Sequence, residues 1–229
     1  MMPGRARLLT AAMALVAALA AAADQPLSEA ETLLFTEAHL RNTPLNGELQ
    51  YRYSRTGSLS PALEGAVSVR LAPAESEGSR NVHVDYLSGP NAFSLPDIES
   101  ARANPVILSF LERDVREMQR LAGGQAAYFR KRVRLALAEA ARVRAFTIEH
   151  EGASAPAWEI SIRPYDDDPM KPRFAAYSDK RYVFTLCEAI PGMVYELRAT
   201  MADRRPAASD GGTRPPLIDE TLHFVGARQ

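Results

Sequence analysis

The sequence predicts an α+β protein: a curved antiparallel sheet of about eight strands, covered by an N-terminal helix and a central helical hairpin. Segments in which apolar and polar residues alternate strictly occur both before and after the middle of the chain, as expected for strands with one buried face. Two segments with helical periodicity lie between them and are joined by Gly123-Gly124. A long up-and-down sheet curls, and helices are then needed to cover its apolar face.

The first 23 residues have the layout of a cleavable secretory signal peptide. Arg5 and Arg7 form a basic head, an apolar run covers 8–19, and small residues at 21–23 precede Asp24. This run is too short to serve as a membrane anchor, which needs roughly 20 residues. We expect cleavage near Ala23/Asp24 and a mature protein in a bacterial periplasm, with secretion to the outside as the alternative.

The composition of the mature chain indicates a globular protein with one core. Removing residues 1–23, which carry two arginines and no acidic residue, leaves 25 basic and 28 acidic side chains. This balance gives no indication of nucleic-acid binding, which needs a strongly basic face. Cys187 is the only cysteine, so an internal disulfide is excluded. We therefore predict a single domain over 24–229.

The elements follow in order along the chain. Ser28 and Glu31 have the spacing of a capping box, which predicts a helix over 28–41. Asn104-Pro105 predicts the start of a helix that ends at Gly123-Gly124, and a second helix should run over about 125–144. The residues 203–216 are rich in Pro, Gly and Ser and predict a mobile loop. The alternating segments that predict strands are 49–53, 67–71, 82–86, 146–148, 158–162, 182–186, 195–201 and 222–224.

This order of elements resembles the LolA/LolB-like family of periplasmic lipoprotein carriers. The resemblance depends on the exported amphipathic helix at 28–41, the alternating strands at 49–53 and 67–71, and the mid-chain helices. It implies a curved half-barrel closed by helices over an apolar cavity. No sequence motif is matched, so no ligand-binding residue is carried over from the family. The chain also resembles exported proteobacterial proteins in general.

Asp114 is the most unusual residue of the first predicted central helix, because it falls within the apolar face, between Ile107 and Leu121. A buried carboxylate without a partner costs several kcal/mol. One interpretation is an inter-helix salt bridge that sets the register of the hairpin. A functional acid at the floor of a cleft and simple exposure at a helix crossing are the alternatives. The next helix offers three partners, Arg130, Arg132 and Arg134.

The second predicted helix carries a basic face without an acid among its members. Such a face is usually solvated, but it can also attract an anionic membrane surface. The residues of this basic face are Arg130, Lys131, Arg134 and Arg142.

Known metal and catalytic motifs are missing from the sequence. The four histidines share no ligand spacing, and no Gly-x-Ser-x-Gly or phosphate-binding loop occurs. Asp166-Asp167-Asp168 lacks the spacing of a calcium loop and predicts an acidic turn. We therefore predict no cofactor and no metal.

Aromatic residues of the predicted strands are candidates for lining an apolar ligand site, although such residues more often belong to a core. The leading hypothesis is a non-enzymatic binding or carrier protein for a lipid-like ligand or an envelope partner. The alternatives are an envelope hydrolase that uses Asp114 or the turn at 166–168, and an assembly factor that presents strand edges or the 203–216 loop. An open apolar space inside the sheet would support a carrier, whereas a packed one would support an interaction module. The candidate lining residues are Tyr51, Tyr53, Tyr86, Trp158 and Phe184.

Overall fold

A computed structural model describes residues 26–203 and 214–229. The predicted signal peptide lies outside the described residues, as does most of the predicted loop at 203–216. Within the described part, no helix is both long and apolar enough to cross a membrane.

One antiparallel sheet of nine strands forms the frame of the protein, in the order β4-β3-β2-β1-β9-β8-β7-β6-β5. Every pairing joins two strands that are consecutive in sequence, except that β9 also pairs with β1. The predicted fold class is confirmed. The strands are β1 (Gly47–Thr56), β2 (Leu63–Pro73), β3 (Arg80–Tyr86), β4 (Ile98–Ala101), β5 (Arg142–His150), β6 (Ala153–Ile162), β7 (Lys180–Cys187), β8 (Val194–Met201) and β9 (Ile218–Arg228).

One of the nine strands, β4, was not predicted. It has four residues, of which Ile98 is half-buried and Ala101 is buried. Its pairing with β3 is irregular between Arg80 and Val82. A strand this short shows too few alternating positions to stand out in a sequence.

The central hairpin contains α1 (Val106–Ala122) and α2 (Ala126–Glu139). Gly123 ends α1 with a φ of 71°, which explains why glycine stands there. The second helix is shorter than predicted, because the chain becomes extended and enters β5 at Arg142. Arg142 therefore belongs to a strand, and its assignment to the basic helix face was wrong.

The N-terminal segment (residues 28–42) is less regular than the helix predicted over 28–41. The predicted capping box of Ser28 and Glu31 is present, with both reciprocal hydrogen bonds. The α-helical part covers only Glu29–Glu31, and a π-helical turn (Thr32–Thr36) follows. Glu37 is extended, and the segment closes with a 3₁₀ turn (His39–Asn42). Two further 3₁₀ turns cover Gly89–Asn91 and Lys171–Tyr177.

The helices cover the concave face of the curved sheet. α1 contacts β3 in one half of the sheet and β8 in the other, so it crosses the concavity. α2 contacts β6, and the start of the N-terminal segment contacts α2 and β5. We call α1 and α2 together the helical roof. The main apolar core lies between this roof and the sheet, and a smaller aromatic cluster surrounds Phe129, Tyr165 and Phe174.

Candidate functional site

The predicted lining residues lie against the core, and the concave face around them is filled. Tyr51, Tyr53, Tyr86 and Phe184 are each at most 1% exposed, whereas Trp158 is half-buried. A side chain with so little exposure has no water-sized space beside it. The structure therefore shows a closed concavity, and a ligand can reach these aromatic rings only if the helical roof moves.

The interface between roof and sheet contains a group of buried charges, which we call the polar seam. It consists of four ionisable side chains and three tyrosines. Helical geometry places Arg113 and Asp114 of α1 toward the sheet, whereas alternation along the strands places the remaining members toward α1. The members are Arg113, Asp114, Lys180, Glu220, Tyr53, Tyr86 and Tyr182.

Asp114 is the centre of one half of the seam. Lys180 Nζ lies 2.5 Å from its Oδ1 atom, and the Tyr182 hydroxyl donates a hydrogen bond to Oδ2. The side chains of Asp114 and Lys180 are 1% and 0% exposed. Burial raises the pKa of Asp114, and the positive charge of Lys180 opposes this rise.

Glu220 is the centre of the other half. Its Oε1 atom accepts hydrogen bonds from Arg113 at 3.0 Å and from the Tyr53 hydroxyl at 2.8 Å. The Arg113 guanidinium also lies 4.7 Å from the centre of the Tyr53 ring, a cation–π distance. Tyr53 of β1 and Glu220 of β9 are both almost fully buried.

The charges of the seam balance, with two acids and two bases, but its hydrogen bonds do not. Within the described residues, Glu220 Oε2 and the Tyr86 hydroxyl have no hydrogen-bond partner. Burial is the main reason that the pKa values of Tyr53, Tyr86 and Tyr182 are raised. The described residues thus place a polar group with incompletely satisfied hydrogen bonds within an otherwise apolar interface.

The structure corrects the expected partner of Asp114. The carboxylate pairs with Lys180 of β7 and not with Arg130, Arg132 or Arg134 of the neighbouring helix. It therefore connects α1 to the sheet, not one helix of the hairpin to the other. Sequence reasoning missed Lys180 and Glu220, although each occupies an inward position of an alternating strand, as the burial patterns of β7 and β9 show.

A second polar cluster fixes the start of α1. His39 Nε2 lies 2.7 Å from the Leu33 carbonyl oxygen, and the backbone N–H of Asn104 donates to Nδ1 at 3.1 Å. The Asn104 side chain donates to the Tyr51 hydroxyl and to the Gly192 carbonyl at 2.8 and 3.0 Å. These bonds require a neutral imidazole with its proton on Nε2. We call this cluster the α1 anchor.

The predicted basic face is not a continuous array of free charges. Arg130 makes a two-pronged contact with Glu112 of α1 at 2.9 and 2.5 Å. Lys131 and Arg134 are exposed on α2, whereas Arg142 lies in β5. The face contains no acid of its own, but Glu112 on the other helix of the hairpin pairs with one of its members, Arg130.

The acidic turn divides into two exposed residues and one buried residue. Asp166 and Asp167 are exposed, whereas Asp168 is 5% exposed and lies 3.2 Å from Arg132 Nε. Asp168 also accepts a hydrogen bond from Tyr128. Within residues 26–203 and 214–229, no group of three or more acidic, histidine or cysteine side chains is arranged to hold a metal ion.

Comparisons with known proteins give only a distant resemblance. No protein-family model matches the chain, and no curated protein matches it. A solved structure that it resembles is that of the LolA superfamily protein NE2245 from Nitrosomonas europaea. The match covers 87% of this chain and 92% of the other at 8% identity, with a TM-score of 0.22. This is a weak resemblance at the level of the fold, and a TM-score this low carries no argument about function.

Proposed function

We propose that this protein is a periplasmic binding or carrier protein, which takes an apolar, lipid-like ligand onto the concave face of its sheet when the helical roof lifts. The observation that carries the proposal is the polar seam beneath α1. It lies in the middle of the apolar interface, where the roof meets the sheet.

The seam lowers the free energy needed to separate roof and sheet. Separating apolar surfaces in water costs about 25 cal/mol for each Å² that becomes exposed. Buried charges behave differently, because a buried ion pair gives up hydration that it regains when the interface opens. Asp114, Lys180, Arg113 and Glu220 therefore offset part of the cost of exposing the surrounding apolar side chains.

The surface revealed by opening has the chemistry of a lipid-chain site. Aromatic and aliphatic side chains cover it, including Tyr51, Phe184 and Leu197, all of them at most 1% exposed in the closed structure. Apolar lining with a few polar groups is typical of sites for amphipathic ligands. Lys131 and Arg134 would lie on the outer face of the roof, where they could approach an anionic membrane.

Fluorescence of Trp158 tests the proposal, because it is the only tryptophan and lies half-buried in β6. A dibrominated fatty acid that enters the concavity should quench this fluorescence saturably and at a stoichiometry of one site. Native mass spectrometry of protein purified gently from the cell envelope should then show a lipid-sized adduct.

A variant with an apolar seam tests the role of the charges. The apolar triad variant combines Asp114→Leu, Lys180→Met and Tyr182→Phe, so that the carboxylate, its cation and its hydroxyl donor are removed together. It should take up the probe more slowly, roughly tenfold for about every 1.4 kcal/mol by which it favours the closed state. The matched control is Arg198→Gln with Asp219→Asn, which removes an exposed ion pair of β8 and β9 and should leave uptake unchanged.

The packed concavity favours a second candidate function, an interaction module that binds an envelope protein. In that case, the roof stays closed and Trp158 is not quenched at any probe concentration below aggregation. A protein that is consistently free of lipid and co-purifies stoichiometrically with one envelope protein would contradict the carrier proposal.

A further inference from the structure

The two edges of the sheet differ in length and protection. β4 forms one edge and has four residues, whereas β5 forms the other and has nine. Among the described residues, no backbone hydrogen bond reaches β5 except from its neighbour β6. Within residues 26–203 and 214–229, one side of β5 therefore presents unpaired N–H and C=O groups, which are a template for a further strand.

The middle of β5 is accessible on both faces of the sheet. Ala145 and Thr147 are exposed, and Phe146 between them is half-buried. The register with β6 places Ala145 opposite Trp158 and Phe146 opposite Ala157. The side chains of Ala145 and Phe146 therefore project from opposite faces of the sheet. The start of the N-terminal segment approaches β5 but makes no backbone hydrogen bond to it.

Features that protect natural edges are missing from the centre of β5. Charged residues, proline and β-bulges discourage the pairing of edges. The central residues 145–148 contain neither charge nor proline, and the pairing of β5 with β6 is regular throughout. The charged residues of β5 stand toward its ends, although the Arg144 guanidinium reaches over the Phe146 ring, 5.0 Å from the ring centre, and pairs with Glu159 of β6.

The charge of β5 changes sign along the strand. Arg142 and Arg144 lie at its beginning, whereas Glu149 lies near its end and Glu151 follows in the turn. An antiparallel copy of the same strand brings the basic end of each beside the acidic end of the other. Arg142 and Glu149 project to opposite faces, so this attraction acts across the strand ends within a Debye length and not as a direct ion pair.

From the free edge and this charge pattern, we propose that two copies of the protein associate through antiparallel pairing of β5 with β5. The nine-stranded sheets then join into one continuous sheet with a twofold axis near Phe146. The two Phe146 rings approach each other across the axis, where aromatic cross-strand pairs contribute to pairing. This inference is independent of the proposed function.

The dimer should be reversible. A nine-residue edge with its flanking side chains provides less surface than the roughly 1,200–2,000 Å² buried in a standard stable interface. We therefore expect a concentration-dependent equilibrium and not an obligate dimer.

Sedimentation equilibrium of the mature protein tests the proposal with two proline variants, Ala145→Pro and Phe146→Pro. Neighbouring residues of an edge strand point their N–H groups in opposite directions, one toward β6 and one outward. The variant that loses the outward N–H should melt at nearly the wild-type temperature but stay monomeric, because proline has no N–H to donate. The other variant should melt at a lower temperature, because it loses a bond to β6.

Charge variants of β5 test the proposed dimer independently of the proline variants. Arg142→Glu cancels the positive charge at the beginning of β5, where Arg144 remains, and Glu149→Arg cancels the negative charge at its end, where Glu151 remains. Each variant alone should dimerise less than the wild type, and an equimolar mixture should regain dimers that contain one copy of each. A wild-type protein that is monomeric from about 1 μM to 1 mM would overturn the inference. So would a dimer that neither proline variant disrupts.

Discussion

His39 connects the N-terminal segment to α1 through both of its ring nitrogens. Burial lowers its pKa, because the charged form cannot be hydrated there. The acceptor at Leu33 and the charge of Glu37 act in the opposite direction. Protonation would also place a proton on Nδ1 against the N–H of Asn104. The α1 anchor is therefore stable only with a neutral imidazole.

This geometry predicts a loss of stability in mild acid. A histidine with a lowered pKa contributes stability above its unfolded pKa of about 6.5, and that contribution declines as the pH falls toward the lowered value. The melting temperature should drop between about pH 7.5 and pH 5.5 in the wild type and less in His39→Gln. His150→Gln, at the end of β5, is the control and should keep the wild-type dependence. Equal pH dependence in all three proteins would contradict the role of the α1 anchor.

Removing one member of the polar seam should lower the free energy of unfolding more than replacing three members together. Lys180→Met leaves Asp114 buried without its cation, and should lower the free energy of unfolding by about 3–5 kcal/mol. The apolar triad variant leaves no such charge, and should be as stable as the wild type or up to about 4 kcal/mol more stable. Urea unfolding measures both. The control pair Arg198→Gln with Asp219→Asn should change stability by less than about 1 kcal/mol.

Asp114 is the one charged member of the seam that the sequence singles out, and neither its contacts nor the other charged members were predicted. Asp114 stands out on the helical wheel, and Lys180 begins a strand whose other inward residues are apolar. Nothing local connects the two, because they are 66 residues apart in the chain. The partner depends on which strand passes beneath α1, and this follows only from the order of the whole sheet.

At the level of elements, the accuracy of prediction depended on how clearly each end was marked. α1 was predicted closely, because Asn104-Pro105 and Gly123-Gly124 mark its limits. α2 was extended too far, because Arg142 and Arg144 are compatible with a helix as well as with a strand. The N-terminal segment deviates for a tertiary reason. Its extended residue Glu37 allows His39 to turn back and reach Leu33.

The turn between α1 and α2 requires glycine at position 123 because of its backbone conformation and not because of limited space. Gly123 has φ 71° and ψ −171°, a conformation accessible essentially only to glycine, although a Cβ atom there would meet no atom within 4 Å. Gly123→Ala should therefore destabilise the protein by about 1–3 kcal/mol. Gly226→Ala in β9 is the matched control, because it has equal space and no positive φ, and it should be nearly neutral. Equal melting temperatures for both variants would contradict this explanation.

At the scale of the whole molecule, the architecture was predictable because the separate sequence patterns agreed with one another. Alternating segments, turn residues and helical periodicity all pointed to one curved sheet beneath a helical hairpin. The filling of the concavity was not predictable, because the same aromatic residues can line a cavity or pack against a helix. Tyr51 and Phe184 pack in one core cluster with Ile107 and Phe110 of α1.

A roof that lifts independently of the sheet should show lower protection against hydrogen exchange. β1 and β9 lie at the centre of the sheet and pair along most of their length, so their amides should exchange only through global unfolding. Amides of α1 and α2 should exchange together through a partial opening of lower free energy, with a urea dependence smaller than that of β1 and β9 because less surface becomes exposed. In the apolar triad variant, the protection of both helices should rise toward that of β1. If wild-type α1 exchanges only with β1 and β9, roof and sheet form one cooperative unit, and the apolar face is permanently closed to a ligand.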